Sequence, residues 1–101
     1  MFRKRNKLKL FGKKLQEMRK KRGFSASSVA IASKITRPQL SAYENGKICM
    51  SADKFFRIAD AMILTADERR ILFELYEPAK REAYESFSEA AYKRYKKAWF
   101  W

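Results

Sequence analysis

The stretch that most constrains this chain is Ser25–Lys47, SASSVAIASKITRPQLSAYENGK. It reads as two short helices joined by a tight turn. The second helix opens at Thr36-Arg37-Pro38-Gln39. There a Thr supplies the N-cap oxygen, and a Gln three residues later can accept from the cap's own N–H. Pro38, in the first turn, lacks an N–H that would have been unpaired there anyway. The helix so begun carries few charges and closes on Asn45-Gly46-Lys47.

The flanking sequence supplies further helices. Leu10–Arg22 carries an apolar stripe, Phe11, Leu15 and Met18, with its lysines off the stripe. Gly23 is a natural residue just past its C-terminus. Ser25 caps a second helix running to about Ser33, with Val29 and Ala30 inward; Ile35 plugs the core after the turn. In the third helix, Thr36 to about Asn45, Leu40 and Tyr43 point inward. Ser51 caps a fourth, with Phe55, Ile58, Ala59 and Met62 at helical spacing. Thr65-Ala66-Asp67-Glu68 is a second complete capping box. It opens a fifth helix with Ile71, Leu72 and Leu75 inward, and Pro78 is expected to end it.

Outside this body, residues 1–9 are basic with little to bury. They read either as a flexible arm that orders against phosphates or as a frayed extension of the first helix. Residues 78–101 read as one more amphipathic helix. Acids crowd its first half and bases its second, which suits the helix dipole. Tyr84, Phe87, Ala91, Tyr95 and Trp99 share one face, and the chain ends Trp99-Phe100-Trp101. So much aromatic area calls for a partner, either a second copy or the chain's own core. The expected organisation is a basic arm over 1–9, an all-α domain over 10–77 and a C-terminal aromatic helix over 78–101.

Charge points to the partner. The net charge is +13. Residues 1–50 hold 14 Lys and Arg against two acids, Glu17 and Glu44, whereas residues 51–101 hold 10 against nine. A surface meant only for solubility mixes both signs, so this asymmetry points to nucleic acid for the N-terminal half. Histidine is absent and Cys49 is the single cysteine. This excludes zinc sites built on Cys and His, intramolecular disulfides and His-based acid–base chemistry. With no P-loop, glycine-rich phosphate loop or paired-acid motif, no enzyme chemistry, cofactor or metal is expected. No apolar run approaches 18 residues and no apolar segment follows the basic N-terminus, so a cytoplasmic protein is the simplest reading.

From Phe11 to about Leu75 the chain resembles the lambda-repressor-like (Cro/C1-type) helix-turn-helix family. The resemblance rests on Met18-Arg19 followed by Arg22-Gly23-Phe24, on Ala30 where helices two and three cross, and on Ile35-Thr36-Arg37 at the turn. Leu40-Ser41-Ala42-Tyr43-Glu44-Asn45-Gly46-Lys47 completes it. The family's usual Gln near the start of helix two is Ala26 here, its turn Gly is Lys34, and a usual apolar residue is Ser33, which implies looser packing under the turn.

The resemblance implies a five-helix domain whose third helix reads double-stranded DNA. Its base-reading positions fall on Arg37, Pro38 and Ala42, with Gln39 and Ser41 nearby. Arg37 is the strongest candidate, because its planar fork matches guanine O6 and N7; the alternative is that it only grips phosphate. Pro38 and Ala42 can pack on a thymine methyl, while Gln39 has a competing task in the capping box. Phosphate contacts are expected from Asn45, from the Gly46 and Lys47 backbone N–H groups, from the Lys47 ammonium, and from Ser25 and Ser27. The family also pairs a helix-one Arg with the Glu that ends the reading helix, here Arg19 with Glu44.

These features imply a small transcriptional regulator, of the repressor kind, binding as a homodimer with half-sites one helical turn apart, about 34 Å. Dimerisation would fall to the fifth helix and to Tyr84, Phe87, Tyr95, Trp99 and Trp101. The alternative is an antitoxin-like or co-regulatory module that docks another protein through that aromatic end. A peripheral membrane role for the basic C-terminus is disfavoured by the acids of the tail's first half.

Overall fold

The computed structural model describes residues 6–85, all-α among those residues, as five helices: α1 (Asn6–Lys21), α2 (Ala26–Ser33), α3 (Arg37–Glu44), α4 (Ala52–Ala61) and α5 (Ala66–Glu85). Helix α1 packs on α5 and on α3, and α2 packs on α4 and α3. The core joins Phe11, Leu15 and Met18 of α1 to Val29 and Ala30 of α2 and Leu40 and Tyr43 of α3. Phe55, Ile58 and Ala59 of α4, Met62 just beyond it, and Leu72, Tyr76 and Ala79 of α5 belong to it too, with Leu8, Met50 and Leu64. An aromatic group holds its centre: Phe55 lies 4.8 Å from Tyr76 and Phe11 lies 5.4 Å from Tyr76, between ring centroids. The Tyr76 hydroxyl, buried there, donates to the Met50 carbonyl at 2.8 Å, so this core polar atom is satisfied.

Helices α1 to α4 close in the same way. In each, a residue of positive φ just past the helix lets two successive N–H groups turn back onto the last-turn carbonyls. Gly23 and Gly46 do this for α1 and α3, and Lys34 and Ile63 for α2 and α4. The two side-chain-bearing residues are the costly ones, and a β-branched Ile at φ 54 is the more strained. Ser33, beneath the Lys34 turn, is 1% exposed. Its hydroxyl donates to the Val29 carbonyl at 2.5 Å. The site expected to pack loosely is filled and satisfied.

Three sequence expectations are corrected at the chain's two ends. Helix α1 includes residues 6–9, which therefore belong to it rather than to an arm. The reason is Leu8, 1% exposed, one helical turn ahead of Phe11 and Gly12. Nor does Pro78 end α5, which continues to Glu85 with Pro78 inside it. The carbonyl left without a donor belongs to Glu74, an exposed residue, so water can satisfy it. Beyond Pro78 the helix is held by Ala79, fully buried, and by Glu82, whose carboxylate accepts the Lys7 N–H of α1 at 3.1 Å. The 77/78 boundary therefore falls inside one continuous helix. Ile71 faces outward, 40% exposed. The buried stripe is Leu72, Tyr76 and Ala79, turned one residue from the expected one. Of the aromatic tail residues, Tyr84 is half-buried at the end of α5; Phe87, Tyr95, Trp99 and Trp101 lie outside the described residues.

Candidate nucleic-acid interface

Local chemistry builds the α2–turn–α3 unit. Ser25 caps α2, its Oγ accepting the Ser28 N–H at 3.1 Å. Ala26 and Ser27 are half-buried in the first turn, and Ala26 packs against the core. At α3 the capping box is complete: the Gln39 N–H donates to Thr36 Oγ1 at 3.2 Å, and the Thr36 N–H to Gln39 Oε1 at 2.9 Å. Leu40 and Tyr43 are buried, while Arg37, Pro38, Ser41 and Asn45 are exposed and Ala42 is half-exposed. The helix thus shows one face to the core and a second, uncharged except for Arg37, to the outside.

What holds this face in place is α1. Arg19 and Glu44 form a two-pronged pair, Nε to Oε2 at 2.7 Å and Nη2 to Oε1 at 3.1 Å. The third arm of the guanidinium, Nη1, donates to the Phe24 carbonyl at 2.9 Å, which ties in the α1–α2 link. Both side chains are buried, and the hydrogen bonds to Glu44 hold the Arg19 pKa above its ordinary value against the opposing effect of burial. Such a pair costs desolvation, but its planar geometry fixes the angle of α3 on α1.

Two glycines complete the support. A Cβ on Gly12 of α1 would lie 2.4 Å from the Tyr43 carbonyl oxygen and 2.5 Å from that of Glu44, so only glycine lets α1 touch the end of α3. Gly46 is needed twice over: its φ is +68, and a Cβ there would meet the Lys9 Cα at 2.7 Å. Sequence reasoning missed Gly12. The available signal was an isolated glycine inside an otherwise regular amphipathic pattern, which marks a close approach.

One expected set of phosphate donors is corrected. The Gly46 N–H donates to the Tyr43 carbonyl at 3.2 Å and the Lys47 N–H to the Ala42 carbonyl at 3.0 Å. Those backbone groups are consumed in closing α3. Asn45 is also engaged, its Nδ2 donating to the Ser41 carbonyl at 2.9 Å and to Ser41 Oγ at 3.2 Å. The cations remain outward: Lys9, Lys13, Lys20, Lys21, Arg22, Lys34, Arg37 and Lys47 are all exposed. Of the acids near them, Glu44 is held by Arg19 and Glu68 by Arg22, and Glu17 of α1 is exposed but outnumbered by the lysines of that helix. An outward field of this sign, beside a helix with a largely uncharged face, suits a phosphate backbone flanking a groove.

No helix among the described residues is long and apolar enough to cross a membrane. Among curated proteins none is significantly similar in sequence. Among solved structures, the restriction-modification controller protein C.AhdI from Aeromonas hydrophila is similar, with a TM-score of 0.57 and 27% identity over 61% of this chain and 94% of that one. The family model for the helix-turn-helix matches residues 15–68, which span the second half of α1, α2, the turn, α3, α4 and the first turn of α5. With that match over more than half its length, and α3 clamped to α1 as just described, this chain belongs to the Cro/C1-type helix-turn-helix family of DNA-binding proteins.

Proposed function

We propose that this protein is a sequence-specific transcriptional regulator, acting as a dimeric repressor that lays α3 in the major groove of its operator. The observation that carries the reading is the division of α3. Its inner side is clamped to α1 by Arg19 and Glu44, while Arg37, Pro38 and Ser41 stand exposed on the other. A helix fixed this firmly behind a bare polar and apolar face is suited to rigid docking, in which the first-turn residues meet base edges.

Arg37 is the direct reader, and the Lys47 ammonium, Ser25 and Ser27 are the phosphate partners. One exposed Arg on α3 is little with which to specify a site, so two copies on a palindrome are the economical arrangement. The description of the structural neighbour as a controller protein agrees with a regulatory role. Selection from random duplexes tests the proposal. A palindromic motif with half-sites about one helical turn apart, about 34 Å, is the expected result. A single asymmetric half-site would remove the dimer, and a pool without enrichment would remove sequence-specific regulation.

A further inference from the structure

The outward face of α3 has fewer hydrogen-bonding groups to offer than its residue types suggest. Gln39 carries an amide of the kind that can hold adenine through both atoms, yet its Oε1 already accepts the Thr36 N–H at 2.9 Å. Glu44, the carboxylate of α3, is gripped by two nitrogens of Arg19 and is 8% exposed. Asn45 has its Nδ2 on Ser41, and its Oδ1 sits at the C-cap, about 12 Å of helix rise from Arg37. What remains on the first two turns is the Arg37 fork, the apolar surfaces of Pro38 and Ala42, and a Ser41 hydroxyl that already receives the Asn45 N–H.

Resting on the major-groove reading proposed above, we infer that this face recognises guanine and thymine and has no strong partner for base amino groups. Guanine presents the N7 and O6 acceptors that the Arg37 fork matches, and thymine presents a C5 methyl for Pro38 and Ala42. The amino groups of adenine and cytosine are held strongly by an amide or carboxylate oxygen and only weakly by a hydroxyl. Here the fold itself withdraws both, one into the capping box and one into the clamp. Gln39 is therefore a positioning residue of the reading helix, and its Nε2 donors suit the same guanine and thymine acceptors rather than a base amino group.

The test starts from duplexes selected by the full chain and remade with base analogues. Uracil in place of the recognised thymine removes one methyl and is expected to weaken binding about fourfold. The guanine analogue 7-deazaguanine, which lacks N7, is expected to weaken it about tenfold. Gln39→Glu supplies the second arm. It keeps the capping box, as Glu68 does beside Thr65 in this same chain, and it would convert an adenine-reading amide into a cytosine-reading carboxylate. The expected result is a uniform loss of affinity with an unchanged selected motif. A change from adenine to cytosine at one position, or full affinity for duplexes carrying uracil and 7-deazaguanine throughout the half-site, overturns the inference and leaves sequence-specific regulation standing. If no sequence is enriched by the unmodified chain, the function proposed above falls and this inference with it.

Discussion

Helices α3 and α5 begin with the same device and are put to different uses. In each, a Thr caps the first turn and the side chain three residues on accepts the cap N–H at 2.9 Å. At α3 that side chain is the neutral Gln39; at α5 it is the acid Glu68. The acid is the better partner for a helix N-terminus, where the dipole favours negative charge. Glu68 also pairs with Arg22 and so links the end of α1 to the start of α5. A carboxylate at the corresponding place on α3 would stand at the entrance to a polyanion. The difference teaches that α5 is built for the stability of the fold, whereas α3 gives up the charged cap and relies on α1 for support.

The largest expected effect breaks that support. Glu44→Ala leaves the buried Arg19 guanidinium without its partner and should lower the unfolding free energy by about 3 kcal/mol in urea titrations. The Arg22–Glu68 link at α5 is more exposed than the Arg19–Glu44 pair, so its loss should cost visibly less. Next comes Arg37→Ala, which should flatten discrimination at one base pair per half-site, about 1–3 kcal/mol, while thermal unfolding stays unchanged. An unaltered selected motif would show that Arg37 only grips phosphate.

Removing each cap in turn sharpens the contrast. Thr36→Ala and Thr65→Ala should each cost about 1 kcal/mol of stability. Only the first should also weaken the operator complex, because it frees Gln39 and loosens the first turn of the reading helix. Equal losses of operator affinity from both would erase the distinction between the two helices. The smallest effect is on pH dependence. Hydrogen bonding at Thr65, reinforced by Arg22, holds the Glu68 carboxyl at about 2 against an ordinary 4.5. A depressed carboxylate stabilises the fold above the ordinary value, and that contribution is lost as pH falls from 4.5 towards 2. Glu68→Gln should therefore flatten the acid limb of stability in that window, and an unchanged limb would place the acid sensitivity elsewhere.

Much of the candidate site was legible in the sequence because its chemistry is local. The caps at Ser25, Thr36, Ser51 and Thr65 all act on an N–H three residues away, and the structure shows each bond. The inward residues of α1 to α4 followed from helical period alone, and the family resemblance led to the Arg19–Glu44 pair. Ile71 was misplaced because a run of Ile, Leu and Phe gives period analysis several apolar stripes to choose from. The backbone N–H groups of Gly46 and Lys47, expected to face phosphate, close α3 instead for a related reason. A Gly-Lys pair after a helix can close it or bind an anion, and only the direction of the N–H groups distinguishes the two.

The amino-acid sequence by itself determined where α2 to α5 begin, which face of α3 is apolar, and that the N-terminal half is strongly basic. Those properties depend on groups within about one turn of each other or on simple charge. Only the tertiary structure decided how α3 is held and what its side chains have left to offer. Gly12 is explained by carbonyls of Tyr43 and Glu44, Gly46 by the backbone of Lys9, and the passage of α5 through Pro78 by contacts with α1. These partners lie tens of residues apart in the chain. Steric exclusion and hydrogen-bond commitment at such distances arise only once the helices are packed, so residue identity leaves them unspecified.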